Sequence, residues 1–272
     1  MFVKMGYSVK FLGDNFLHEE PYSTTLQQMG VEILYGSGYQ AGIWDWLTKN
    51  KDEIDFAYLN RPHIAIKYID FIKKNTNIKV IYYGHDLHFL REYREYELTG
   101  DIQKKRESDY WKSIEFSLME KAAVSYYPSY VEEEAIHAIH PEYKIRAITA
   151  YVYEKFLENI DKDFEKREGL LFVGGFAHPP NADAVLWFAK EIFPLIRQKL
   201  DVNFYVVGSK VTDEIKALEQ PGSGIIVKGF VTEEELASLY ATSRIVVVPL
   251  RYGAGVKGKV VEAVYNGSAI VT

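Results

Sequence analysis

The stretch richest in chemical groups runs Pro249-Leu-Arg-Tyr-Gly253-Ala254-Gly255-Val256-Lys257-Gly258-Lys259-Val-Val-Glu262. A strand pattern leads into a glycine-rich loop with two lysines, and a helix pattern then carries an acid after one turn. Glycines let backbone N–H groups approach a phosphate closely at a helix N-terminus, and Lys257 and Lys259 would neutralise a diphosphate. Glu262, an acceptor only when ionised, can take two hydroxyl hydrogen bonds from a ribose. The plainer alternative is a flexible loop with surface lysines and a surface glutamate. A second glycine turn, Leu170-Leu-Phe-Val-Gly174-Gly175-Phe176, precedes His178-Pro-Pro-Asn181 and a helix pattern. It suits a phosphate in the same way, although a Gly-Gly pair after a strand is also an ordinary turn.

In the N-terminal half, Tyr83-Gly84-His85-Asp86 follows a strand pattern, so its side chains fall at a strand's C-terminal end, where open α/β sheets bind ligands. His85 there can hold a hydroxyl or a developing charge, and Asp86 can accept a proton from an acceptor hydroxyl. Asp86 is also placed to cap the following helix. Arg91 and Arg94 share a helix face, where they reach a phosphate or an anionic lipid-linked acceptor, or else pair with Glu95 or Glu97. Asp161-Lys162-Asp163 has the form of a metal-chelating Asp-x-Asp, but it stands in a charged linker rather than after a strand. The seven histidines show no HExxH spacing, and His137 with His140 lacks a third ligand nearby, so no metal is expected. The absence of Gly-x-Ser-x-Gly and of a Walker loop removes the main support for hydrolase and ATPase readings.

Short apolar runs alternating with stretches of helical period must position these groups, the pattern of an α/β protein on parallel strands. Strands are expected at Tyr7–Leu12, Val31–Leu34, Ile54–Leu59, Lys79–Tyr83, Val124–Tyr127 and Ile145–Ala150. The helices between them are Tyr22–Met29, Gly42–Lys49, Ile64–Lys74, Leu87–Leu98, Arg106–Ala123 and Tyr130–Ile139. In the longest, Trp111, Ile114 or Glu115, Leu118 and Ala122 form one buried face. The charge-rich Tyr151–Glu168 has no strand pattern and sets a domain boundary near residue 167, giving domains 1–167 and 168–272. The pattern then restarts with strands Leu170–Gly174, Phe204–Val207, Ile225–Val227, Ile245–Pro249 and Ala269–Val271. Helices fall at Ala182–Leu200, Thr212–Leu218, Glu233–Ala241 and Lys259–Tyr265. Thr232 with Glu235 reads as a capping box, and Asn181 as an N-cap with Asp183 in the first turn. Phe2–Gly6 reads as the last turn of a helix, and Ala269–Thr272 as a strand with nothing after it, so both ends look cut.

At 272 residues, 47% hydrophobic and 26% charged, the chain can bury an ordinary core and hold two domains. Its net charge of -6 has the wrong sign for counterion-release binding to nucleic acid. Without cysteine it can have neither a disulfide scaffold nor a thiolate site. With no signal peptide and no span of roughly 20 apolar residues, it reads as soluble and cytoplasmic. The 21 tyrosines serve either as amphipathic core filling or as stacking platforms for sugars or bases.

The segment Leu170–Thr272 resembles the nucleotide-sugar domain of retaining family-4 glycosyltransferases of the GT-B fold. The likeness lies in LFVGGFAHPPNADAVLWF, FYVVGS, VKGFVTEEELASLYATSRIVVVPLRYGAGVKGKVVEAVYNG and the closing AIVT. The N-terminal half is similar to the partner domain through LNRPHIAIKYI and IYYGHDLHFLREYRE. The resemblance implies two Rossmann-like parallel-sheet domains facing a cleft, with a sugar passing from a nucleoside diphosphate donor to a glycan or lipid-linked acceptor with retention. It implies no metal or other cofactor, a role in surface polysaccharide assembly, and peripheral contact with the inner membrane face. Carried over by position, Gly174 and Gly175 face the phosphates, and Gly229-Phe230-Val231 meets the base. The loop from Gly253 to Lys259 meets the sugar and diphosphate, Glu262 holds the ribose, and His85 is the cleft histidine. Ala254 stands where the family's first glutamate falls, which puts the choice of donor sugar in doubt. A binding protein without catalysis and a sugar-nucleotide epimerase are the alternatives.

Overall fold

The computed structural model describes residues 2–153, 155–158 and 164–272, so Asp161-Lys162-Asp163 lies outside the described residues. Two compact units form: Met1–His85 with Ser113–Tyr127 and Glu133–Arg146, and Asp86–Lys112 with Pro128–Glu132 and Ala147–Thr272.

In the first unit, β1 (Val9–Leu12) and β2 (Val31–Leu34) form a parallel pair, with α1 (Tyr22–Gln28) between them in the chain. After α2 (Ser37–Asn50) comes a second sheet of β3 (Phe56–Asn60), β4 (Lys79–Tyr83), β5 (Val124–Tyr127) and β6 (Ile145–Ala147), in that order, with α3 (Pro62–Asn75) crossing from β3 to β4. Its strands read as apolar runs because parallel sheets are covered on both faces. Tyr82 and Tyr127 are fully buried. Between β4 and β5 in the chain run α4 (His88–Thr99), which belongs to the second unit, and α5 (Ile102–Lys121), whose residues from Ser113 onward belong to the first, and α6 (Tyr130–His137) follows β5. On α5 it is Glu115, not Ile114, that is buried with Leu118.

The second unit carries a five-stranded sheet in the order β11 (Ala269–Val271), β10 (Ile245–Val247), β7 (Leu170–Val173), β8 (Phe204–Val207), β9 (Ile225–Gly229). Each of its four strand pairings is parallel. Chain order therefore reverses direction at β7, and the crevice beyond the C-terminal ends of β7 and β10 is the switch point of a doubly wound sheet. One face is packed by Phe172, Phe188, Phe193 and Phe204, each worth roughly 1.5–3 kcal/mol of burial. The other is covered by α10 (Glu233–Thr242) and α11 (Gly258–Tyr265) through Leu239, Tyr240 and Ala263.

Expected strands β2, β4, β5, β8 and β11 match to the residue, whereas the region after β7 departs from expectation. Instead of one helix there are α7 (Pro179–Trp187), a wider π turn at Phe188–Ile192 and α8 (Phe193–Arg197). Pro194 lacks the N–H that a continuous α-helix would use there. α7 starts at Pro179, whose fixed φ suits a first helical position, so Asn181 lies inside the helix and is not its cap. Asp183, past the first turn, pairs with the Arg251 guanidinium. At α10 the cap holds: Thr232 Oγ1 accepts from the Glu235 N–H at 3.2 Å. The Glu235 carboxylate goes to Lys228 Nζ, 3.0 Å away. A four-residue α9 (Asp213–Lys216) completes the unit.

Candidate functional site

The β7 and β10 loops and the N-termini of α7 and α11 converge on a cavity of about 500 Å³ in the second unit. It is lined by Gly174, Gly253, Ala254, Val256, Lys257, Lys259 and Glu262, together with Tyr151, Tyr153, His178, Asn181 and Tyr252. Two helix N-termini here set up a positive field. Pro179 and Pro180 at the start of α7 have no N–H to offer, so the first-turn donors belong to Gly258 and Lys259 of α11, which have no intrahelical acceptor.

Lys259 Nζ donates to Asn181 Oδ1 and lies 4.7 Å from the Phe172 ring centroid. Burial, aided by neighbouring Lys257, pushes its pKa down to about 8. Asn181 Nδ2 donates in turn to the Gly175 carbonyl at 2.7 Å, tying the Gly-Gly turn to the lysine. A side chain at Gly174 has no room: a Cβ there would lie 2.9 Å from Asn181 Nδ2 and 3.0 Å from Lys259 Nζ. Lys257 Nζ donates to the Ala254 carbonyl at 2.8 Å. Burial and then the Arg94 charge lower its pKa. His178 is held below the ordinary histidine range by burial first and by Arg91 second.

Glu262, one turn into α11, faces the buried Tyr240 hydroxyl, whose pKa is raised by burial and then by this carboxylate. Tyr153 lines the same wall, stacked on Tyr265 with centroids 3.8 Å apart. The Tyr151 hydroxyl sits where a Cβ on Gly258 would be, 2.4 Å away. Sequence reasoning missed Tyr151, Tyr153, Tyr252 and His178 as cavity residues. The paired tyrosines of YVY, standing apart from the charges around them, were the available signal.

The remaining candidates lie elsewhere. Gly175 and Gly255 flank the lining without belonging to it. Gly229, Phe230 and Val231 also stand outside it; the Gly229 carbonyl accepts from the Gly208 N–H at 2.8 Å, and Phe230 is 82% exposed. In the first unit, His85 has a φ of 67°, uncommon for a residue with a side chain, and its Nε2 is 3.2 Å from Asn60 Oδ1. Gly84 lets the Tyr127 ring approach to where a Cβ would clash at 2.2 Å. Asp86, in the second unit, does not cap α4. Its carboxylate takes Arg91 Nη1 at 2.6 Å and lies 3.3 Å from His88 Nδ1. Arg94 avoids Glu95 and Glu97 and donates to the Gly253 carbonyl at 2.5 Å. His137 and His140 are turned to the Tyr143 carbonyl and to Glu142. Among the described residues no group of three or more His, Asp or Glu is arranged to hold a metal, and no helix is long and apolar enough to cross a membrane.

Residues 167–272 match the family described as Glycosyl transferases group 1. Over 109 residues the chain is 28% identical to an uncharacterized 44.6 kDa protein in the cps region of Klebsiella pneumoniae, a match covering 38% of this chain and 28% of that protein. The chain thus spans well under two thirds of this curated relative. Among solved structures it is similar to sucrose-phosphate synthase from Thermosynechococcus elongatus, with a TM-score of 0.69 and 14% identity over 99% of this chain and 72% of that one. A pneumococcal O-GlcNAc transferase, GtfA, solved with UDP and GlcNAc, gives 0.57 and 16% over 87% and 45%. The structure of trehalose-6-phosphate from Escherichia coli bound with UDP-2-fluoro glucose gives 0.55 and 9% over 86% and 62%. These likenesses show the fold: an α/β chain with parallel sheets of the GT-B type.

Proposed function

We propose that the chain acts in a glycosyltransferase that takes a nucleoside diphosphate sugar and passes the sugar, with retention, to a glycan or lipid-linked acceptor. One observation carries the reading: two lysines, a glycine-rich loop and the first turn of α11 meet in one cavity at the switch point, with Glu262 one turn further on. That set suits a diphosphate held between cations and N–H donors, with a ribose hydroxyl pair on the carboxylate. The family match over 167–272 and the UDP compounds in two GT-B neighbours support a nucleotide-sugar donor. The cps-region relative supports a place in surface polysaccharide assembly.

In this mechanism the leaving diphosphate gains negative charge as the bond to the anomeric carbon breaks. Lys257, Lys259 and the Gly258 and Lys259 N–H groups stabilise that charge without a metal. Gly174 keeps the wall beside Lys259 thin enough for the phosphates, Gly175 is assigned to them next to it, and Gly229-Phe230-Val231 is assigned to the base. His85 is assigned to a donor hydroxyl. Asp86, held by Arg91, keeps its assignment as the carboxylate that receives the acceptor proton. The functional boundary is placed near residue 167.

The test incubates the protein with UDP-, GDP-, dTDP-, ADP- and CDP-linked sugars, with and without hexoses and a polyprenyl-diphosphate-linked sugar, and follows products by mass spectrometry. Transfer predicts a new glycoside only when acceptor is present. A changed sugar nucleotide without acceptor means epimerisation, and binding without any product means a binding protein; either result overturns the transferase reading.

A further inference from the structure

We propose that helix α4 acts as a bracket for the glycine-rich loop, with Arg94 as its positioning residue. Gly253, at φ 142°, and Gly255, at φ 74°, stand in backbone conformations that favour glycine, so the segment Gly253-Ala254-Gly255 has many alternative shapes and needs outside contacts to choose one. Two carbonyl contacts do this. Arg94 Nη1 takes the Gly253 carbonyl at 2.5 Å, and Lys257 Nζ takes the Ala254 carbonyl at 2.8 Å. In a trans peptide the N–H points opposite to the carbonyl, so the N–H groups of Ala254 and Gly255 are turned away from these cations. Glu95, the next residue of α4, raises the pKa of the buried Tyr252 hydroxyl after burial itself does, which agrees with α4 lying along the start of this loop.

The bracket is itself anchored. Lys104 of α5 ties to Glu92 at 3.0 Å and to Glu95 at 3.3 Å. Ser108 Oγ donates to the Phe89 carbonyl at 2.7 Å, and Arg91 joins Asp86 to Glu92. Arg94 thus acts on a bound anion through the shape of the loop, a consequence that rests on the function proposed above; the bracket itself does not.

Backbone ¹⁵N relaxation of residues 253–258, measured without any nucleotide, tests the bracket directly. Arg94→Met should lower the order parameters of Ala254 and Gly255 from the rigid range of about 0.85 toward the flexible range below about 0.6, while those of β7 and β8 stay unchanged. Arg94→Lys, which keeps a charged donor on a long stem, should recover most of the loss. Loop order parameters in Arg94→Met equal to wild type overturn the proposal. Should Arg94→Met fail to fold, Arg94→Gln serves, since its shorter uncharged side chain falls short of the Gly253 carbonyl: lowered order parameters at 254–255 support the bracket, and unchanged ones overturn it. Inorganic pyrophosphate, added to the same proteins, should shift the amide resonances of 254–259 in wild type and in Arg94→Lys, but much less in Arg94→Met. If pyrophosphate has no effect on wild type, the anion site is overturned, while the ligand-free comparison still decides the bracket.

Discussion

Lys259 is poised to respond to pH, because its ammonium lies among Asn181, Phe172 and Lys257 rather than in water. An anionic diphosphate favours the charged lysine, so the bound state keeps its proton to higher pH than the free state. Affinity for a nucleoside diphosphate should therefore be level below pH 8 and fall above it, by up to tenfold per pH unit. Calorimetric titrations from pH 6.5 to 9.5 check this, and Lys259→Arg, which stays charged, should remove the fall. Glu262→Ala should weaken nucleotide binding by at least about 1 kcal/mol, since charge-assisted hydrogen bonds to hydroxyls are lost; affinity equal to wild type would remove the ribose role. That Lys257, Lys259, Glu262 and Gly174 stand in one cavity was legible in the sequence, because their two loops each join a strand pattern to a helix pattern, where the C-terminal strand ends of an α/β sheet gather. Tyr151, Tyr153 and Tyr252 were not, since a tyrosine in a loop declares its role only when folding decides which wall it meets.

The elements explain both what was legible and what was not. Strands such as Phe204–Val207 are short apolar runs buried on both faces, and burial alone sets their limits. The start of α7 depends instead on proline geometry, and Asn181, an acceptable cap by type, was drawn into the helix and put to use on Gly175 and Lys259. Gly208 shows how tightly two strands meet: a Cβ there, at φ 155°, would lie 1.9 Å from the Gly174 carbonyl oxygen. Gly208→Ala should lower stability by at least about 2 kcal/mol, read by urea unfolding, because backbone rather than a flexible side chain blocks the new atom. At the start of α6, Glu132 is buried, accepts from the Leu87 N–H at 3.0 Å, and is pushed up by desolvation to a pKa of about 7. The folded state holds this proton more tightly than the unfolded chain, where the pKa is near 4.5. Its contribution to stability is thus full below about pH 4.5 and lost as pH rises through about 7. Glu132→Gln should flatten that slope, a difference of roughly 1–3 kcal/mol between pH 5 and 8, seen in the pH dependence of unfolding.

For the molecule as a whole, alternation of strand and helix patterns announced parallel α/β architecture, and the GT-B neighbours agree with it. Strand order was beyond the sequence, because pairing depends on contacts far apart in the chain. That order, β11-β10-β7-β8-β9, is what places two glycine loops side by side. In the proposed function the crevice they form takes a nucleoside diphosphate. Its most direct test is a thermal-shift titration with UDP, GDP, dTDP, ADP and CDP, since a ligand that prefers the folded state raises the melting temperature. A rise with one of these nucleotides, reduced in Lys259→Ala and absent for the matching free nucleoside, is the predicted result. A cooperative melt that none of the five moves at millimolar concentration would contradict it.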